Sequence, residues 1–114
     1  NQAVQCSRLG LNVSMVGCVG NDIYGSELIN SLRENNVSVE NVNKRGTTTG
    51  IGIVQILESG DYCSTIIKGA NYLISEDDIT ESLFEGQPLV ILQSEIPAPV
   101  VEYIIGVAST HHYP

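Results

Sequence analysis

The sequence predicts an α/β fold, in which helices pack on a layered parallel sheet and a separate β-hairpin is present. Helix-like and strand-like segments alternate along the chain, which is the order typical of α/β proteins. Residues 49 to 71 carry a clear hairpin pattern of two strand-like runs around a turn. The 114 residues are 42% hydrophobic, which is enough to bury one modest core.

The first segments predict a short helix that leads into a buried strand. Residues 2–9 have helical spacing of their apolar positions, and Gly10 can end this helix because glycine tolerates the left-handed conformation of a helix end. Val13–Val19 is small, apolar and partly β-branched, the pattern of a strand buried on both faces.

A second helix is predicted to begin after Asp22 and to run to about Asn35. Aspartate is a good N-cap because its carboxylate accepts hydrogen bonds from free backbone N–H groups. The apolar face of this helix is predicted to consist of Ile23, Leu28, Ile29 and Leu32. The stretch Val37–Val42 that follows supports no more than an extended connection.

The hairpin is the clearest local feature of the chain. Two strands, 51–57 and 62–67, flank the segment 58–61, where Gly60 supplies the positive φ of a tight loop. On the first strand one face carries Gly52, Val54 and Ile56, and the other carries Ile51, Ile53, Gln55 and Leu57. A two-stranded ribbon with two apolar faces needs cover on both sides in water.

The last third of the chain repeats the alternation of helices and strands. Ser75 with Asp78 three residues later predicts the start of a short helix, whose apolar positions are Ile79, Leu83 and Phe84. Residues 88–93 form a compact apolar run suited to a central parallel strand. Pro97 then opens a helix that carries Val100, Val101, Ile104 and Ile105.

Composition and charge exclude several classes of function. The net charge of −8 and the pI near 4.4 argue against nucleic-acid partners and against anionic membrane surfaces. Three scattered cysteines predict neither a disulfide framework nor a zinc site, and favour a reducing, cytoplasmic setting. No apolar run approaches the roughly 20 residues of a membrane span, so we expect a soluble protein.

Most of the polar and glycine motifs favour a structural interpretation. The glycines at 17, 20 and 25 match neither a dinucleotide fingerprint nor a Walker loop, so we expect them to shape bends, and a dinucleotide-dependent oxidoreductase is disfavoured. His111 and His112 lack a third metal ligand at a useful spacing. Asp77 and Asp78 are most simply the acidic start of a helix.

Glu95 and Asn1 are the best candidates for contact with a polar ligand. Glu95 follows Ser94 at the carboxyl end of the strand predicted for 88–93, where ligands of α/β sheets bind. An amide such as that of Asn1 both donates and accepts hydrogen bonds. From position alone, a solvated loop acid and a helix cap remain equally good interpretations.

Five segments together resemble the ribokinase-like, phosphofructokinase-B type family of carbohydrate kinases. The spacing Asn1-Gln2-Ala3, Gly10, Gly20 is similar to the back part of the first family signature. The resemblance continues in order through "VGNDIYGSEL", "TTTGIGIVQI", "IIKGAN" and "LQSEIP", and so covers essentially the whole chain. The turn Gln93-Ser94-Glu95 is most similar to the ribokinase group.

This resemblance implies an ATP- and Mg-dependent kinase that phosphorylates a sugar hydroxyl, with ribose as the first expectation. Its fold would be a Rossmann-like α/β domain with a small β-sheet lid, and residues 1–114 would be part of one such domain, with the lid hairpin at about 49–68. Carried over by position, Asn1 and Glu95 would hydrogen-bond sugar hydroxyls, while Gly52, Val54 and Ile66 would line the apolar side. The opposite hairpin face would pack on the lid of a partner in a homodimer.

The sequence also departs from the family pattern. Family members are two to three times longer and carry a Gly-Ala-Gly-Asp helix start, whose Asp is the catalytic base; no such motif occurs in these residues. Phosphoryl transfer needs the hydroxyl, the base and the γ-phosphate together, so this chain alone is expected to be an inactive fragment. A nucleoside or fructose-type kinase of the same fold, and a non-catalytic ligand-binding or dimerisation module, remain the alternatives.

Overall fold

The computed structural model describes residues 1–86 and 89–110, and it confirms the α/β class. The chain divides into two compact units, Asn1–Leu73 and Ile74–Pro114. Within the described ranges, no helix has both the length and the apolar character needed to cross a bilayer.

A parallel pair of strands with a crossover helix forms the body of the first unit. Its elements are α1 (Gln2–Arg8), β1 (Val13–Val19), α2 (Ile23–Glu34) and β2 (Val37–Lys44). Strands β1 and β2 pair in parallel from Val13 opposite Val37 to Val19 opposite Lys44, with an irregularity between Ser14 and Val16. The connection through α2 is the βαβ arrangement that parallel strands require.

Local signals placed α1, β1 and α2 correctly, because the caps and breakers act within a few residues. Gly10 follows α1 with φ +87°, a conformation that glycine adopts without strain. The Asp22 carboxylate caps α2 by accepting a hydrogen bond from the Gly25 N–H at 2.8 Å. Asn36 ends the helix region with φ +56°.

Secondary structure and burial in the first unit differ from the prediction in three ways. The segment predicted only as an extended connection is strand β2. The first half of β1 is not buried on both faces, since Ser14 and Met15 are exposed. On α2, Ile29 is buried but Ile23 and Leu28 are exposed. The buried apolar residues of this unit are Cys18, Val19, Ile29, Val37 and Ala70.

The hairpin is confirmed as strands β3 (Ile51–Ile56) and β4 (Tyr62–Ile67). They pair antiparallel from Ile51 opposite Ile67 to Ile56 opposite Tyr62. Gly60 in the connecting turn has φ +87°, as the loop pattern predicted. All twelve strand residues are exposed, so residues 1–86 and 89–110 cover neither apolar face. A 3₁₀ turn at Gly69–Leu73 then returns the chain onto β1.

The prediction of one continuous helix after Ser75 is wrong, because this segment forms two separate 3₁₀ turns, Glu76–Asp78 and Glu81–Phe84. The start signal itself is correct, since the Ser75 N–H donates to the Asp78 carboxylate at 2.9 Å. Ile79 then leaves the helical region, with φ −104° and ψ 78°. Two consecutive β-branched residues, Ile79 and Thr80, lose side-chain freedom in a helix and oppose its continuation.

The strand predicted over 88–93 does not form in the described part of that segment, residues 89–93. A strand needs a hydrogen-bonded neighbour, and none lies beside these residues in the described chain. The helix after Pro97 is confirmed as α3 (Ala98–Thr110), with the Pro97 carbonyl accepting hydrogen bonds from the N–H groups of Val100 and Val101.

Helix α3 buries one narrow side against the short turns of its own unit. Val100 and Ile104 are buried, while Ile105 is 54% exposed, so the predicted apolar face is covered only in part. The buried apolar residues of this unit are Ile74, Ile79, Phe84, Val100 and Ile104. His111 and His112 lie outside the described residues.

Candidate functional site

Three of the predicted sugar-lining residues share one face of the hairpin. Gly52 lies directly opposite Ile66, and Val54 is two residues further along the same strand, so all three point to the same side. Val54 is 63% exposed and Ile66 is 58% exposed. A Cβ on Gly52 would lie 3.4 Å from the Ile66 Cδ1, so the absence of a side chain at Gly52 leaves the Ile66 side chain accessible on this face. The structure therefore brings this part of the predicted site together.

An open cavity of about 510 Å³ lies where α2 faces the start of β3, and Gly52 belongs to its wall. Glu27 is its one carboxylate, and the other residues of the wall are Tyr24, Leu28, Ser31, Thr49, Gly50 and Ile51. The sequence pattern placed Leu28 on a buried face and so missed this cavity. A mixed wall of this kind offers both apolar contact and hydrogen-bond acceptors to a small polyhydroxylated ligand.

Asn1 lies at the N-cap position of α1, with an exposed side chain. Its backbone carbonyl accepts a hydrogen bond from the Gln5 N–H at 3.0 Å, but its amide side chain makes no capping hydrogen bond. The helix-cap interpretation of this amide therefore has no support in the structure. Helix α1 packs on β1 and β2, which places Asn1 in the same unit as the hairpin.

Glu95 lies in the second unit, in an exposed bend just before α3. The bend is predicted correctly, but the strand that was expected to precede it is not formed in residues 89–93. The grouping of Glu95 with Asn1 and the hairpin face consequently stays a prediction.

Gly20, directly after β1, and Gly25, in the first turn of α2, are packed against protein backbone, which confirms the structural interpretation of these two glycines. A Cβ on Gly20 would lie 2.4 Å from the backbone of Thr48 and Thr49, and a Cβ on Gly25 would lie 2.3 Å from the Gly20 carbonyl oxygen. A phosphate cradle needs open space in front of its N–H groups. These glycines instead allow two chain segments to touch.

The glycine segment after β1 does not fit a phosphate-binding loop. Residues 1–86 and 89–110 contain no group of three or more His, Cys, Asp and Glu side chains that could hold a metal ion. The glycine segment most similar to a phosphate loop is filled by the backbone of residues 47–49. This segment therefore leaves no open space in front of its N–H groups for a phosphate.

Asp22 is an acid with a lowered pKa, and sequence reasoning identified it only as a helix cap. Its carboxylate accepts hydrogen bonds from the Thr49 hydroxyl, from the Thr49 N–H at 2.8 Å and from the Gly25 N–H at 2.8 Å. These bonds favour the charged form and hold the pKa of Asp22 below its ordinary value, with the Thr49 hydroxyl as the largest cause. Nothing in the local pattern indicates Thr49 as the partner, because the two residues are 27 positions apart.

Residues 1–112 match the profile of the pfkB family carbohydrate kinases. Over 97% of its length the chain is 34% identical to a ribokinase from Schizosaccharomyces pombe. Over its whole length it is 36% identical to a ribokinase from Bacillus subtilis. These alignments cover 37% and 40% of the two relatives, so the chain spans about two fifths of their length.

A solved structure shares the fold of the chain. The structure of Arabidopsis thaliana ribokinase complexed with ribose and ATP superposes with a TM-score of 0.82 at 24% identity. The superposition covers 99% of this chain and 38% of that one. This similarity shows that the chain forms part of a ribokinase-like fold.

Proposed function

Because the chain belongs to the pfkB family of carbohydrate kinases, we propose that it is the sugar-binding part of an ATP-dependent sugar kinase whose acceptor is ribose. The observation that carries this proposal is the match to ribokinases along essentially the whole chain, at 34% and 36% identity. ATP and Mg would be bound by parts of the complete protein outside this chain, as would the catalytic base. This chain by itself would be inactive.

In this proposal, residues 49–68 form part of a lid over the sugar. The exposed face with Gly52, Val54 and Ile66 would cover the apolar side of the sugar ring. Asn1 and Glu95 would accept or donate hydrogen bonds at its hydroxyls. An exposed amide without a capping hydrogen bond and an exposed carboxylate are both available for such contacts.

The other face of the hairpin is proposed to pack on the lid of a second copy. Ile51 and Ile67 are directly paired on this face, and with Ile53 they are 37%, 45% and 46% exposed. Isolated two-stranded ribbons are marginal in water, so cover by ligand on one face and by protein on the other would stabilise this element. The three cysteines form no disulfide in the part of the chain that the structure describes, which is compatible with the reducing, cytoplasmic setting that we propose.

The experiment that tests the function is a substrate panel with the complete protein. ADP release would be measured with MgATP and ribose, 2-deoxyribose, fructose or adenosine as the acceptor. We expect ribose to give the highest kcat/KM. A preference for adenosine or fructose would replace ribose with another acceptor of the same family, and a protein that dimerises but phosphorylates none of them would indicate a non-catalytic module.

A further inference from the structure

Thr49 is the one buried polar side chain among the described residues, at 2% exposure, and it lies two positions before β3. Its hydroxyl donates to the Asp22 carboxylate and accepts a hydrogen bond from the Gly20 N–H at 3.0 Å. The hydroxyl thus uses both its donor and an acceptor position on the segment that follows β1. A buried group that is fully hydrogen-bonded fixes its neighbours, because breaking the bonds leaves unsatisfied polar atoms.

The Asp22 carboxylate joins two elements that are distant in sequence. One of its oxygens caps α2 through the Gly25 N–H, and the other accepts from the Thr49 N–H. Hydrogen bonds to a charged carboxylate are stronger than those between neutral groups. The amino end of α2 and the base of β3 are consequently held by one charge.

The chain leaving β4 is fixed at the same place. The Ala70 N–H donates to the Thr48 carbonyl at 2.8 Å, and Ala70 is fully buried. Gly69 has φ +50°, and a Cβ there would lie 2.7 Å from both the Gly50 nitrogen and the Thr48 oxygen. The two ends of the hairpin are therefore in backbone contact with each other, and the first end also packs on the backbone of Gly20, directly after β1.

The hairpin has little other support within its own unit, since its twelve strand residues are all exposed. Its direction relative to the parallel sheet is therefore set where its two ends are attached. We propose that Asp22 and Thr49 are positioning residues, which fix the base of the hairpin so that the face with Gly52, Val54 and Ile66 meets the sugar. This inference rests on the proposed sugar-kinase function.

The test compares Thr49→Val with Thr49→Ser in the complete protein. Valine keeps the shape of threonine and removes the hydroxyl, whereas serine keeps the hydroxyl. Thr48→Val is the matched control, because Thr48 is the adjacent residue and its side chain is exposed. The measurements are ribose affinity by calorimetry, KM for ATP, and amide hydrogen exchange of residues 51–67 without sugar.

We expect Thr49→Val to weaken ribose binding about tenfold, which corresponds to one buried hydrogen-bonding group left without its partner. The KM for ATP should stay unchanged, and hairpin amides should exchange faster. Thr49→Ser should restore both properties, and Thr48→Val should resemble the wild type. Asp22→Asn combined with Thr49→Val should cost less than the sum of the single changes, because both interrupt the same contacts.

The exchange measurement separates this inference from the proposed function. Hairpin exchange at the wild-type rate in Thr49→Val would overturn the positioning role, even in a protein that phosphorylates ribose. Equal loss of ribose and ATP binding, without rescue by serine, would also overturn it, since it would indicate general destabilisation. A wild-type protein that binds no sugar would instead remove the proposed function, and hairpin exchange would still report on the attachment.

Discussion

Replacement of Gly25 by alanine should destabilise the protein, although alanine is the better helix former. Gly25 is the third residue of α2, and in a helix interior alanine is favoured over glycine by about 1 kcal/mol. The new Cβ, however, would lie 2.3 Å from the Gly20 carbonyl oxygen, 3.0 Å from the Thr49 Oγ1 and 3.1 Å from the Val19 Cβ. Steric repulsion therefore opposes the gain in helix propensity.

The magnitude follows from what has to move. The closest atom belongs to the backbone of Gly20, which is itself packed on the backbone of residues 47–49, so neither side yields easily. Forcing an extra carbon into such a contact costs about 1–3 kcal/mol. A shift of α2 would also weaken the bond from the Gly25 N–H to Asp22, at a cost of about 1 kcal/mol. After subtraction of the helix gain, we expect a net loss of about 2 kcal/mol.

The assay is urea unfolding of the complete protein, followed by circular dichroism. Gly106→Ala is the matched control, because Gly106 also lies in a helix but a Cβ there would meet no atom within 4 Å. The control should be neutral or up to about 1 kcal/mol more stable. A rise of the unfolding midpoint in Gly25→Ala equal to that of the control would refute the close backbone contact at this point.

Three further results are expected. Glu95→Gln should weaken ribose binding more than tenfold in calorimetry, since a hydrogen bond to a charged group contributes about 1.5–3 kcal/mol. The control Glu102→Gln, on the exposed side of α3, should bind ribose with wild-type affinity. Equal ribose affinities of the two variants would remove Glu95 from the site. The folded-state pKa of Asp22 lies below its ordinary value of 3.8, so its contribution to stability is fully present above pH 3.8 and is lost as the pH falls through the folded pKa. The free energy of unfolding of Asp22→Asn should therefore change less with pH in that window than that of the wild type. An unchanged slope would contradict the lowered pKa. Ile53→Lys puts a charge on the face proposed to contact a second copy, so light scattering should show a monomer in place of a dimer. The control Glu58→Lys, in the hairpin turn, should leave the dimer intact. A dimer that persists in Ile53→Lys would exclude this face as the interface.

Prediction from sequence worked best where the signal lies within a few residues. The hairpin follows from alternating strands around a glycine turn, and α2 follows from an aspartate cap and an apolar spacing. The ends of these elements agree with the structure to within one or two residues. The same local logic failed after Ser75, where a correct start signal is followed by β-branched residues that stop the helix after one turn.

Pairing and burial depend on residues that are far apart in the chain, and only the tertiary structure decided them. Val37–Lys44 is a strand because it pairs with β1. Residues 89–93 are not a strand because no strand of the described chain pairs with them. Thr49 looks like an ordinary loop residue until the fold buries it against Asp22.

The candidate site divides in the same way. The sequence alone indicated Glu95 and Asn1 as candidates for contact with a polar ligand. It also showed that Gly52 and Val54 share one hairpin face, because alternation along a strand is a local property. The resemblance to a kinase family added Ile66 and the expectation that the ligand is a sugar. The register that puts Ile66 opposite Gly52, the cavity beside α2 and the attachment of the hairpin through Asp22 and Thr49 required the folded chain. Hydrogen bonds and close contacts across 27 residues arise only when packing brings the two segments together, and no local pattern encodes them.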